Sequence, residues 1–102
     1  PHTAMTQAPM GLIYPESDAR LLVPVQLDGT VRPVVLHAAH RDSQATINWD
    51  LDGVHLGRTT GDHRLSVDLS SGPHEVTLTD QQGRMLRTRF HSTIGGTARS
   101  HP

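Results

Sequence analysis

The chain has no cysteine and no lysine; all nine of its Lys-or-Arg positions are Arg. Without Cys there is no disulfide framework, no thiolate nucleophile and no Cys-ligated zinc. Without Lys there is no Ser-x-x-Lys nucleophile, no Lys-Thr-Gly strand and no P-loop lysine. Aromatic residues are nearly as scarce, with one Trp, one Tyr and one Phe in 102 residues. No run approaches the roughly 18 apolar residues of a membrane span, and no signal peptide is visible. The net charge of -1 offers no electrostatic surplus for nucleic acid or anionic lipid. Helical periodicity is missing as well, because no long window repeats apolar residues at i, i+3, i+4 and i+7.

What the chain does have is alternation. Ile47, Trp49 and Leu51 interleave with Asn48 and Asp50, which puts the apolar set on one face of a strand. Asp52-Gly53 follows and suits a tight hairpin turn, since both residues tolerate positive φ. Val54, His55 and Leu56 read as a short return strand ended by Gly57, with a polar loop over Thr59 to Asp62. Trp49, the single indole, is the expected anchor of the core, because a buried aromatic removes roughly 150–250 Å² from water. The same period of two recurs in Val34-Leu36-Ala38, Leu65-Val67-Leu69, Val76-Leu78 and Leu86-Thr88-Phe90. Leu12-Ile13-Tyr14, closed by Pro15, reads as an edge segment with Ile13 inward, and Ala19 to Val25 as a second short strand. Short strands at regular spacing with turn signals between them predict an all-β fold: an immunoglobulin/fibronectin-III-like antiparallel β-sandwich of about seven strands.

The expected layout is a linker over residues 1–10, a sandwich over 11–93 and a flexible tail over 94–102. The hydrophobic share of 34% predicts a thin core for a single domain. The chain opens on Pro1, and the expectation is a segment of a longer protein with any targeting segment elsewhere.

The candidate site residues divide by chemistry. Asp52 and Asp80 each lead into a glycine-containing turn, at Gly53 and Gly83, so an Asx-turn bond to local backbone is expected of both. His74, in the run Gly72-Pro73-His74, is expected to hydrogen-bond backbone at a turn rather than to act as a base. His37 and His40 fall on opposite strand faces, and the eight His are expected to be solvated rather than metal-bound, so no cofactor and no metal are expected. No Gly-x-Ser-x-Gly elbow occurs; Ser70 and Ser71 near His74 are the only serines worth testing as nucleophiles. Arg87 and Arg89 point outward from the last strand, where they could meet an anionic glycan or partner protein; a solvated face that discourages edge pairing is the plainer alternative. With Trp49 in the core, Tyr14 is the one aromatic left as a binding platform.

Trp49-x-Leu51-Asp52-Gly53-x-x-Leu56-Gly57, followed by Leu69-x-x-Gly72-x-His74-x-Val76-x-Leu78-x-Asp80-x-x-Gly83 and a strand ending near Phe90, resembles the C-terminal domain of class A bifunctional penicillin-binding proteins of the 1C type. Ile13-x-Pro15 and Val34-x-Leu36-x-Ala38 fit the same pattern, so the resemblance runs over about residues 11–92. It implies a domain that follows glycosyltransferase and transpeptidase domains in a periplasmic parent anchored in the inner membrane. It implies a part in peptidoglycan assembly without catalysis by this domain. The expected partners are other domains of the parent, a periplasmic protein or peptidoglycan; no nucleic acid and no membrane insertion by this segment are expected. Two functions follow: a non-catalytic docking or positioning module, or a direct glycan-binding module.

Overall fold

The computed structural model describes residues 9–95. These form eight strands: β1 (Met10–Tyr14), β2 (Arg20–Val23), β3 (Val34–His40), β4 (Thr46–Leu51), β5 (Val54–Thr60), β6 (His63–Val67), β7 (Gly72–Asp80) and β8 (Met85–Ile94). Two sheets face each other, one ordered β1-β3-β6 and the other β2-β8-β7-β4-β5. This is the all-β, fibronectin-III-like sandwich that the alternating pattern predicts. The pairs are antiparallel with one exception: β2 runs parallel to β8, from Arg20 opposite His91 to Val23 opposite Ile94. The chain leaves the small sheet after Tyr14, turns through a cis peptide bond at Pro15 and joins the edge of the large sheet as β2.

The core lies between the sheets. Met10, Leu36, Ala38 and Val67 come from the small sheet, Ile47, Trp49, Val76, Leu78 and Phe90 from the large one. Trp49 is fully buried. Its indole N–H would cost several kcal/mol (roughly 2–7) if left unpaired there, and it donates to Thr59 Oγ1 at 2.8 Å.

The expectations fail at identifiable points. Ile13 is 49% exposed rather than inward. Leu12 pairs with Ala38 and Tyr14 with His37, so Ile13 is the extra residue of a bulge that breaks the alternation. Gly57 does not end β5. Trp49 pairs with Gly57 and Asp50 with His55, so Leu56 bulges and the strand runs on to Thr60. Thr59 and Thr60 thus belong to a strand, and the turn narrows to Gly61 and Asp62. Gly72 and Pro73 open β7 instead of lying in a turn before it. Met10, placed in the linker by sequence, is a buried residue of β1, and Ile94, placed in the tail, ends β8. The rest of the expected linker, 1–8, and of the expected tail, 96–102, lies outside the described residues.

Candidate functional site

The hairpin between β4 and β5 turns on Asp52 and Gly53, at φ of 52° and 84°. Left-handed backbone at both positions matches the twist of the flanking strands, which is why Asp-Gly closes so many two-residue hairpins. The Asp52 carboxylate does not bond its own turn, contrary to the expected Asx-turn. Its Oδ1 accepts the Glu75 amide at 2.8 Å, and its Oδ2 lies 2.7 Å from His74 Nδ1. The reason is register: Leu51 pairs with Val76, so the turn projects beside the start of β7 and finds that strand's groups first.

His74 is 7% exposed. Its Nε2 lies 2.7 Å from the Ser70 carbonyl and 3.1 Å from Ser92 Oγ. The Ser70 carbonyl can only accept, so Nε2 donates to it, while Nδ1 faces the Asp52 carboxylate. Asp52, His74 and Ser92 thus line up as an acid, an imidazole and a hydroxyl. The chemistry of a nucleophile is nevertheless absent from this trio. Ser92 is fully buried, and it donates its proton to Ser70 O at 2.6 Å. The Nε2 proton already points at the same carbonyl, so no lone pair faces the serine to deprotonate it. The arrangement is a polar tie, buried at His74 and Ser92 and open to solvent at Asp52, between the β4–β5 turn, the β6–β7 loop and β8. Ser70 takes part through its carbonyl, and Ser71 Oγ accepts the Ile94 amide at 2.8 Å.

Asp80 closes the other end of β7. Its Oδ1 accepts the amides of Gln82 and Arg84, at 3.0 and 2.9 Å, in the local turn that its position before Gly83 suggests. Its Oδ2 accepts Arg84 Nε at 2.9 Å and faces His40 Nε2 at 3.1 Å. His40 Nδ1 accepts the Asp42 amide, which fixes Nε2 as the donor. Burial alone would raise the Asp80 carboxyl, but the His40 bond, the Arg84 amide and guanidinium and the Gln82 amide outweigh it and hold its pKa at about 2.

A third tie runs from Trp49 through Thr59 Oγ1 to His63 Nδ1, at 2.8 and 2.7 Å. His63 is buried on β6, and burial is the main reason its imidazole titrates below the ordinary value; His40 and His37 add to the effect and Asp62 opposes it. Two of the histidines expected in solvent, His40 and His63, therefore lie inside, while His74 makes the expected bond to backbone, at the Ser70 carbonyl; all three join the sheets or their loops. Sequence reasoning also missed Ser92. The available signal was parity: Ser92 continues the inward series Leu86, Thr88, Phe90 on β8. Among the described residues no group of three or more His, Asp or Glu is placed to hold a metal ion.

The expected binding residues do not converge. Arg87 and Arg89 lie on the outer face of the large sheet, opposite Thr77 and Glu75 on β7. Arg89 Nε reaches Glu75 Oε2 at 3.3 Å, and a shallow cavity of about 350 Å³ opens beside them over Asp52, Pro73 and His74. Tyr14 is 46% exposed at the end of β1, on the other sheet.

The family model of the penicillin-binding protein C-terminus family matches residues 2–90. The chain belongs to that family. The match spans the Asp52–His74 tie and the Asp80 turn. Among solved structures, the fibronectin(III)-like modules of Clostridium thermocellum CbhA are similar, with a TM-score of 0.61 and 14% identity over 85% of this chain and 99% of that one. At that identity the likeness speaks for the fold alone. No curated protein matches the chain.

Proposed function

We propose that this penicillin-binding protein C-terminal domain is a non-catalytic docking module that positions its periplasmic, membrane-anchored parent during cell-wall synthesis, using the outer face of the β2-β8-β7-β4-β5 sheet. The observation that carries the reading is the charge on that face. Register places Arg20 beside His91, Arg89 beside Glu75, Arg87 beside Thr77 and Arg58 beside Asn48, all turned from the core. The acids there are already engaged: Glu75 by Arg89 and Asp50 by His55, at 3.3 and 3.2 Å. Arg20, Arg58 and Arg87 are left without a carboxylate partner among the described residues. Guanidinium groups presented along one sheet face suit bidentate recognition of carboxylates, so an acidic protein surface fits.

A second reading, direct binding of glycan, draws on Thr77, Thr79 and Asn48 between those arginines, which supply uncharged hydrogen-bonding groups on a flat surface. One experiment separates the two. The 102-residue chain and its Arg87→Glu, Arg89→Glu double variant are incubated with purified sacculi and, in parallel, used to capture periplasmic protein by crosslinking. Docking predicts no sedimentation with sacculi and a crosslinked partner lost in the variant. Charge-dependent sedimentation with sacculi would favour the glycan reading. A partner captured equally by both forms would move the contact to another face. Both arginines are exposed, so the melting temperature should change little.

A further inference from the structure

The seam where β1 and β2 form the edges of their two sheets carries an assembly that meets the Arg-rich face only at Leu22, two residues from Arg20 on β2. A cavity of about 280 Å³ opens there, lined among others by Tyr14, Leu22, Pro24, Arg32, Pro33 and Val35. Of the exposed large apolar side chains, Tyr14, Leu22 and Val35, 46%, 63% and 47% exposed, gather around this one opening. Scattered exposed apolar groups need no explanation, but a concave cluster with one charged side chain in its lining does. The walls hold no acidic residue, and the one charged lining side chain is Arg32, which has no ion-pair or hydrogen-bond partner among the described residues. Pro24 and Pro33 offer no N–H, so the guanidinium is the charged donor at the mouth.

We propose that this cavity binds the carboxyl terminus of a polypeptide whose last residue is apolar. The terminal side chain sits among Tyr14, Leu22 and Val35, and the terminal carboxylate pairs with Arg32. Charge complementarity selects an anion, and the apolar lining selects an anion joined to a hydrocarbon side chain. The small volume requires both features on one residue; an apolar residue and a separate acidic side chain would need a longer groove. The site lies away from Arg87 and Arg89 and stands or falls independently of the docking proposal.

The test titrates the isotope-labelled 102-residue chain with the peptide Gly-Ser-Ala-Leu, with the same peptide amidated at its carboxyl end, and with decanoate, following amide resonances by NMR. The expected result is saturable movement of the Tyr14, Leu22 and Val35 signals by the free acid, with the amide bound about tenfold more weakly, as loss of a charge-assisted bidentate pair demands. Arg32→Gln should reduce free-acid binding to the level of the amide, and Leu22→Asn should abolish it; both side chains are exposed, so both variants should fold. Equal binding of acid and amide, shifts confined to another surface, or no shifts at millimolar peptide would overturn the proposal. Tighter binding of decanoate than of the peptide would overturn it in favour of a lipid-like ligand.

Discussion

Trp49 concentrates two kinds of stabilisation in one side chain. Its ring fills the middle of the core, and its N–H begins the chain of hydrogen bonds through Thr59 to His63. Trp49→Ala should cost roughly 3–5 kcal/mol. Small domains hold only about 5–15 kcal/mol in all, so the isolated chain should be unfolded or nearly so in urea titration. Trp49→Phe keeps an aromatic ring, opens a small cavity and leaves Thr59 bonded to His63 alone, and should cost less than the alanine change, on the order of 1–2 kcal/mol in urea titration. His63 makes the stability pH-dependent in a defined direction. Unfolded, it takes up a proton near pH 6.5; folded and buried, it does so only at lower pH. Its contribution is therefore complete above the unfolded value and is lost as pH falls from there toward the folded value. Thermal melts should show a decline on mild acidification that shrinks in His63→Gln. An identical decline in both proteins would assign the effect to another group.

The strands were legible wherever one face is apolar and the partner strand keeps step. β4, β6, β7 and β8 follow the period of two, and Asp52-Gly53 announces its own turn. The failures are bulges and loops that a neighbour completes. Nothing in Leu12-Ile13-Tyr14 says that an extra residue will be squeezed out opposite Ala38 and His37. Nothing in Gly57 distinguishes a strand end from a bulge until Trp49 is set against it. The polar ties were hidden for a related reason. His40 and Asp80 are distant in sequence and meet only because β3 and β7, in different sheets, end side by side. The turn from Asp80 to Gly83 is the element whose chemistry is easiest to test. Asp80→Ala leaves His40, Arg84 and two amides without their acceptor and should cost on the order of 3 kcal/mol. Because the folded pKa is depressed to about 2, the carboxylate's contribution is present above the unfolded value and lost as pH falls toward the folded one. Acid titration of Asp80→Ala should accordingly show a shallower loss below about pH 4 than the parent chain.

At the scale of the whole molecule the two outer faces are unlike. The large sheet turns out arginine, threonine and asparagine, while the small sheet exposes Ile13 and Tyr14 on its edge strand β1 and Val35 on β3. The polar residues brought together inside serve the fold. From this follows an expectation for the chain as a reagent: incubation with a fluorescent penicillin should leave no covalent adduct, because Ser92 is sealed, the Ser71 hydroxyl is engaged and no base bonds the Ser70 hydroxyl among the described residues. A labelled peptide containing Ser70, Ser71 or Ser92, lost in His74→Ala, would make the Asp52–His74 pair a catalytic one.

The parallel pairing of β2 with β8 has a mechanical consequence. An antiparallel pair pulled from its adjacent ends opens one hydrogen bond at a time, like a zip. Here the start of β2 and the end of β8 point in opposite directions along the same ladder. Tension applied between the start of β2 and the end of β8 therefore slides the strands past each other, and the bonds from Arg89 to Gly95, including His91 N to Ala19 O and Gly95 N to Val23 O at 2.9 and 3.0 Å, share the force at once. A joint of this kind yields only when the whole ladder shears, so the edge of the large sheet is held more firmly against such a pull than a two-stranded antiparallel edge would be.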